Sequence, residues 1–316
     1  MTRDQCLVCN HSHKNNPPIS AHAGFTILGC RSCGSARLDP IPLLSEIRSF
    51  YPVDYYGAKT TKFIAPIEHL LKNFSARTIA SASKNLAPGS RLLDIGCGRG
   101  VFFRELLDRG FEVHGIELGK FVDDSISNRC TIHVTDSLSS LRFPPESFDM
   151  VILWHVLEHL PNPQETMAEI SRILSPGGRL AIAVPNYGSL QSRVSGRYWF
   201  HLDLPRHIFH FTQKGLRTLL AEHGFIVTST NHFSVLQNVF GWIQSLLNRV
   251  PGLEANGLYN LLHRRSRYTC RNFVQPLFFI QLILAVLITP LSLLLSLAES
   301  LSQNGGTVEL LARKCR

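Results

Sequence analysis

The sequence predicts a doubly wound α/β fold, a mostly parallel sheet with helices on both faces. Three observations predict it. From Ser90 onward, short apolar runs of strand character alternate with segments of helical spacing, the order that builds a parallel sheet. The first of these strands delivers an acid, Asp94, into a turn with glycines at 96, 98 and 100, and a helix follows. The run Phe148-Asp149-Met150-Val151-Ile152-Leu153 is strongly apolar, as a strand covered on both faces should be.

The elements follow in order. Arg91 to Asp94 is the strand that enters the glycine turn. Val101 to Arg109 is a helix stopped by Gly110. Glu112 to Glu117 is the second strand, and Ile132 to Val134 is a weaker third. Phe148 to Leu153 is the fourth. A helix runs from Pro163 to Leu174, and Pro176-Gly177-Gly178 turns the chain into the strand Leu180 to Val184. Thr212 caps a helix ending near Gly224, and Phe225 to Thr230 is a strand. Ahead of the sheet, Ile64, Ile67, Leu70, Leu71 and Phe74 have helical spacing within 61–86, and Pro88-Gly89 ends that segment. Residues 1–50 are rich in Cys, His, Pro and Gly and read as a small metal-held module. The expected divisions are 1–50, a connecting segment 51–88, the core 89–236, an apolar helical insert 237–304 and a last strand 305–316.

The chain has 316 residues, 44% hydrophobic and 17% charged, which suits a packed core and excludes global disorder. Its start, Met-Thr-Arg-Asp-Gln-Cys, has no apolar run behind it, so the chain reads as cytoplasmic. Eight cysteines in that setting argue for metal binding and free thiols over disulfides. The net charge of +9 fits nucleic acid, an anionic membrane or an acidic substrate. Its local company favours the membrane. Arg264, Arg265, Arg267 and Arg271 stand directly before the run Asn272 to Ala298, which is 27 residues long and uncharged.

The glycine turn, Asp94-Ile95-Gly96-Cys97-Gly98-Arg99-Gly100, lets a backbone turn tightly and approach a ligand. Glu117 closes the second strand 23 residues after Asp94, where an acid can accept from both hydroxyls of a ribose. A dinucleotide fingerprint needs a third glycine at 101 or 103, and these are Val101 and Phe103, so NAD and FAD are excluded. The pattern resembles the class I S-adenosylmethionine methyltransferases, with their Rossmann-like sheet. Phe148 through His159 is similar to that family's fourth strand and following loop, and Leu174 through Leu180 to its turn into strand five. The resemblance implies S-adenosylmethionine as cofactor. It places Gly96, Gly98 and Gly100 along the methionine and ribose, Asp94 at the amino group, Glu117 on the ribose hydroxyls and Asp136 at the adenine amino group. Asp136 also reads as a helix cap, and Glu158 and His159 as loop-fixing residues.

Cys6-x-x-Cys9 and Cys30-x-x-Cys33 are two knuckles separated by 20 residues. Four thiolates from two turns suit tetrahedral structural zinc. Neither pair opens a helix after a strand, which excludes a redox motif. His11, His13 and His22 could substitute as ligands, and otherwise read as exposed loop histidines. A zinc ribbon, then Tyr51-Pro52-Val53-Asp54-Tyr55-Tyr56-Gly57, then this core is similar to bacterial methyltransferases associated with glycan biosynthesis. The tyrosines either cover a substrate cleft or pack the ribbon on the core.

Ligands of open α/β sheets sit at the carboxyl ends of the strands. The segment after strand five, Gly196 to Thr212, gathers aromatics, Pro205 and three histidines. His207 or His210 could take the proton of an acceptor hydroxyl; the alternative is that both anchor the loop. RNA base methylation usually goes with an Asn/Asp-Pro-Pro loop after strand four. Leu153-Trp154-His155-Val156 stands there instead, so nucleic acid is not the expected partner. Gly305 to Lys314 resembles the family's seventh strand, which returns beside strand six. Residues from about Asn231 to Asn304 are then an insert that must leave and return on one face. A single membrane crossing would strand the last strand on the wrong side. Pro276 and Pro290 could break the apolar run into a re-entrant hairpin, or into helices lying in an anionic interface. A helical cover buried on the protein is the alternative. The expected reaction is O-methylation of a glycan or lipid-linked intermediate at the cytoplasmic membrane face, with a quinone precursor, or RNA methylation by a zinc-ribbon enzyme, as the alternatives. The oligomeric state is not legible.

Overall fold

A computed structural model of the chain describes residues 5–12, 18–22, 25–51, 78–119, 122, 124–262 and 276–315. Most of the helix expected over 61–86, the tyrosines after Tyr51, His13 and the four arginines before the apolar run lie outside the described residues.

Seven strands form the central sheet: β4 (Arg91–Ile95), β5 (Glu112–Glu117), β6 (Thr131–Val134), β7 (Phe148–Trp154), β8 (Leu174–Pro185), β10 (Phe225–Asn231) and β11 (Thr307–Lys314). Their spatial order is β10-β11-β8-β7-β4-β5-β6. β4 pairs in parallel with β5 and β7, β5 with β6, and β7 with β8. β11 is antiparallel to both of its neighbours, β8 and β10. The expected last strand therefore does return beside the strand after Gly224.

Burial explains the strand composition. Met150, Val151, Ile152 and Leu153 of β7 are 0% exposed, because helices cover both faces of a central parallel strand. The helices are α1 (Leu44–Ser49), α2 (Phe103–Asp108), α3 (Asp124–Ser127), α4 (Pro163–Ile173), α5 (Leu190–Ser195), α6 (Gln213–Glu222), α7 (Val235–Leu247), α8 (Gly257–Leu262) and α9 (Pro276–Leu301). α4 starts with Asn162 accepting from the Glu165 N–H and with Pro163 in its first turn, where proline's missing N–H costs nothing. It buries Met167, Ile170 and Ile173. Thr212 caps α6 by accepting from the Gly215 N–H, and Leu216, Leu219 and Leu220 face inward.

Two expectations are corrected. Pro176-Gly177-Gly178 is not a turn before a strand beginning at Leu180. β8 already begins at Leu174 and takes these residues as an irregularity where its register on β7 shifts. Nor does Pro290 break the apolar run. α9 passes through it as one helix of 26 residues, about 39 Å long at 1.5 Å per residue. Proline removes one ladder bond at roughly 3 kcal/mol, and the packing of α9 on α7 holds the helix through it. Val239, Ile243 and Leu247 of α7, Leu258 of α8 and Ala285 of α9 form that contact.

The amino-terminal module has its own antiparallel sheet, β1 (Pro18–His22), β2 (Phe25–Gly29) and β3 (Ala36–Asp39). Its fourth strand, β9 (Phe209–His210), comes from the core, with Ala36 opposite His210 and Arg37 opposite Phe209. Cys6, Val8 and Cys33 share one apolar cluster with Ile208, Phe209, Phe211 and Leu216. The amino-terminal module is thus built onto the segment that carries His207 and His210.

Candidate active site

The glycine turn leaves β4 with Gly96, Gly98 and Gly100 at φ of 70°, 53° and 71°, a region that side chains with a Cβ rarely enter. Gly96 has a second reason to be glycine. A Cβ there would stand 2.4 Å from Cγ2 of Val156, in the loop after β7. The turn is tied to the second strand: the Gly96 and Cys97 N–H groups donate to the Ile116 carbonyl at 2.8 and 3.1 Å.

Glu117 ends β5 and is 5% exposed. One carboxylate oxygen accepts from the Gly98 N–H and the other from the Leu118 N–H, both at 2.8 Å. Asp94, also buried, sits close enough to feel that charge. Burial, and then repulsion from Glu117, raise its pKa well above the ordinary carboxylate value. The two acids and three glycines named from the sequence therefore converge at the carboxyl ends of β4 and β5. Asp136 follows β6 and is held by Arg48 of α1, whose Nε lies 3.0 Å away and whose Nη2 also contacts the carboxylate. The amino-terminal module thus reaches this rim as well.

His207 and His210 flank Ile208, whose N–H donates to the Glu158 carbonyl in the loop after β7 at 2.8 Å. Both are buried, at 8% and 3% exposure. The Nδ1–H of His207 donates to the His201 carbonyl at 2.7 Å, which leaves its Nε2 with a lone pair. Burial, with His159 alongside, depresses the His207 pKa well below the usual histidine value. Burial lowers that of His210 to about 4, and its Nε2 has no hydrogen-bond partner.

Sequence reasoning gave Glu158 and His159 only a loop-fixing part. The structure gathers them with His207, with one ligating atom of each within 4.8 Å of the others. The signal available was His155-x-x-Glu158-His159 directly after strand four. His155 adopts φ 55°, an unusual backbone state for a residue with a side chain. Its Nδ1 is 3.5 Å from Glu158 Oε1. Glu158 is 1% exposed, and neither carboxylate oxygen has a hydrogen-bond partner. The Tyr51 hydroxyl is 2.9 Å from Nδ1 of His159, so this tyrosine joins the amino-terminal module to the loop.

Cys6, Cys9, Cys30 and Cys33 come together, all buried. Sγ of Cys6 is 3.8 Å from that of Cys33, and Cys9 is 3.7 Å from Cys30. A tetrahedron of sulfurs about 2.3 Å from a zinc has edges of about 3.8 Å. The donor set and spacing fit that ion. Each knuckle closes in the same way, with the Asn10 N–H donating to the Cys6 carbonyl and the Gly34 N–H to the Cys30 carbonyl.

A family model described as "Methyltransferase domain" matches residues 67–230. The ubiquinone biosynthesis O-methyltransferase of Aeromonas salmonicida is 30% identical over 109 residues, covering 31% of this chain and 44% of that protein. Sterol 4-C-methyltransferase strm-1 of Caenorhabditis elegans is 29% identical over 145 residues, covering 41% and 42%. The chain spans less than half the length of these curated relatives. Among solved structures, Haemonchus contortus phosphoethanolamine N-methyltransferase 2 in complex with S-adenosyl-L-methionine has a TM-score of 0.54 at 17% identity, covering 89% of this chain and 62% of that one. With the glycine turn, the two acids and the seven-stranded sheet with its one antiparallel strand, the family-model match over residues 67–230 places the chain in the methyltransferase-domain family of S-adenosylmethionine-dependent enzymes.

Proposed function

We propose that the protein transfers the methyl group of S-adenosylmethionine to a hydroxyl of a glycan or lipid-linked intermediate presented at the cytoplasmic face of a membrane. Gly96, Gly98 and Gly100 line the methionine and ribose, Asp94 reaches the amino group, and Glu117 holds the ribose hydroxyls. Glu117 keeps acceptor lone pairs beyond those its two backbone donors use. Asp136, already paired with Arg48, takes the adenine side. The acceptor oxygen attacks in line with the methyl–sulfur bond. The sulfur keeps the electron pair and leaves as the thioether S-adenosylhomocysteine, and the hydroxyl proton passes to solvent. His207 serves the acceptor side. A buried His210 with a pKa of about 4 is a weak base, which supports an anchoring role for it. The four cysteines hold a structural zinc that fixes the ribbon, and through β9 the histidine segment.

One observation carries the membrane reading. The side of α9 turned into the protein bears Gln281, Ala285, Ser292, Ser296 and Glu299, while Leu287, Leu294 and Leu301 stand 68%, 66% and 86% exposed. A soluble helix shows the reverse. An outward face of leucines over an inward polar stripe is the pattern that lipid selects. Glu299 also accepts from the Gln191 N–H of α5 and from Nε1 of Trp242. Gln191 in turn accepts from Trp199 Nε1, in the acceptor-side segment. The apolar helix is thus wired to that segment. A quinone precursor is the second reading, favoured by the name of the Aeromonas relative; both acceptors are lipid-borne hydroxyl compounds. The test is transfer of labelled methyl from S-adenosylmethionine into native membrane extract, followed by separation of the product. Label in a lipid-linked glycan supports the first reading, and label in a quinone-ring compound the second. Label in nucleic acid, or in no lipid-soluble or glycan product, refutes both.

A further inference from the structure

We propose that Glu158, His159 and His207 hold a divalent transition-metal ion beside the loop after β7, with coordination positions left for an acceptor oxygen. The inference builds on the proposed methyl transfer to oxygen. Its own support is geometric, and three observations carry it.

The first is the carboxylate of Glu158. It is 1% exposed and neither oxygen has a hydrogen-bond partner. A charge taken out of water in that state costs several kcal/mol, so natural proteins pair such groups with a cation or a proton donor. The neighbouring nitrogen at 3.5 Å, His155 Nδ1, is beyond hydrogen-bonding range.

The second is the tautomer of the two histidines. Nδ1 of His207 lies 2.7 Å from the His201 carbonyl, and Nδ1 of His159 lies 2.9 Å from the Arg206 carbonyl. A carbonyl only accepts, so each Nδ1 carries the hydrogen, with the Tyr51 hydroxyl 2.9 Å from the same His159 nitrogen as a second acceptor, and each Nε2 is left with a lone pair; the Nε2 of His207 also lies 3.8 Å from Asp203 Oδ2. Histidines that bind metals are held in this way, one nitrogen donating to a backbone carbonyl and the other on the ion. Without a cation, two imidazole lone pairs and a bare carboxylate are gathered in one pocket.

The third is spacing. One ligating atom of each residue lies within 4.8 Å of the other two. Bonds of about 2.0–2.2 Å put neighbouring ligands about 3–3.5 Å apart. Closing that difference takes side-chain movements of about an ångström. The rings of His159 and His207, 4.7 Å between centroids, already lie against each other.

Two imidazoles and a carboxylate suit zinc, manganese, iron or cobalt better than calcium or magnesium, which prefer an all-oxygen set. Three protein ligands leave the ion open, as in catalytic sites, whereas the four cysteines close theirs. An acceptor hydroxyl on the open position loses its proton to solvent more readily, as metal-bound water does.

The test is metal content. The full-length protein is stripped with chelator, dialysed to equilibrium against zinc, and its zinc per chain measured by mass spectrometry. Glu158→Gln should carry one equivalent less than the parent, whatever the cysteine site holds, while the Cys6→Ser/Cys9→Ser variant keeps the second ion. S-adenosylmethionine titration shows that each variant is folded, and it tests the methyltransferase reading separately. His159→Asn serves if Glu158→Gln fails to fold. Equal zinc in the parent and in a folded Glu158→Gln or His159→Asn protein overturns the proposal, and does so even if methyl transfer is intact.

Discussion

Replacing Glu117 by Ala perturbs both the cofactor turn and the cofactor. Its two oxygens accept from the Gly98 and Leu118 N–H groups at 2.8 Å each, and charge-assisted bonds of that kind are worth about 1.5–3 kcal/mol each. The loss of stability should be smaller than their sum. Removing the Glu117 charge relieves Asp94, whose ionisation that charge opposes. The binding cost is separate, because in the proposed placement of the cofactor the ribose hydroxyls lose a charged acceptor, and the turn that carries Gly98 loses its clamp. A net loss of about 1–3 kcal/mol corresponds to about a 5- to 160-fold weaker Kd. Glu117→Gln should lie close to Ala, because its amide NH₂ must face one of the two backbone N–H donors. Isothermal titration with S-adenosylmethionine measures the affinities, and circular dichroism confirms the fold. A folded Glu117→Ala protein with the parental Kd removes Glu117 from the cofactor site.

Three further predictions follow from other parts of the molecule. The purified protein should hold zinc on its four cysteines, and Cys6→Ser/Cys9→Ser should lose one equivalent and lower the melting temperature; an iron–sulfur absorbance band, or unchanged metal, removes the ribbon assignment. His210 is held neutral by burial, with its pKa lowered to about 4 from an unfolded value near 6.5. Because the folded value is depressed, its stabilisation is complete above about pH 6.5 and falls away towards pH 4, by about 3 kcal/mol at 1.36 kcal/mol per unit. Urea unfolding at a series of pH values should show this loss, smaller by that amount in His210→Gln; identical slopes for the two proteins exclude His210 as its source. Anionic liposomes should sediment the protein, less so at high salt. Leu287→Glu/Leu294→Glu should lower that binding at least 100-fold, since about 3 kcal/mol or more of apolar burial is lost, with S-adenosylmethionine affinity unchanged. Undiminished sedimentation of the double variant places the lipid contact elsewhere.

The local rules were legible and the long-range pairings were not. Glycines at 96, 98 and 100 announce positive φ because few other residues tolerate it, and all three adopt it. Thr212 and Asn162 are capping residues whose partners lie three positions on, so a short window contains the whole interaction. Asp136 is different. Its partner Arg48 is 88 residues away, and nothing around Asp136 in sequence separates a cofactor ligand from an ion pair. The apposition of Glu158 and His159 with His207 is likewise a product of packing, since it depends on Ile208 N–H donating to the Glu158 carbonyl at 2.8 Å. Proline at 290 misled for the opposite reason. Local propensity there argues for a break, and tertiary contact with α7 overrides it.

The place of β11 governs how the protein can be made. It fills the gap between β8 and β10, yet it is synthesised after both of them and after α7, α8 and α9. Until Thr307–Lys314 has left the ribosome, β8 and β10 each lack the partner that β11 supplies. At elongation rates of about 5–20 residues per second that interval lasts several seconds. The nascent chain therefore carries unpaired strand edges, a state prone to aggregation. A chaperone that covers those edges during those seconds would leave the half-built sheet waiting for one strand. A tag or truncation that disturbs residues 307–314 should accordingly reduce soluble yield far more than its distance from the cofactor turn suggests.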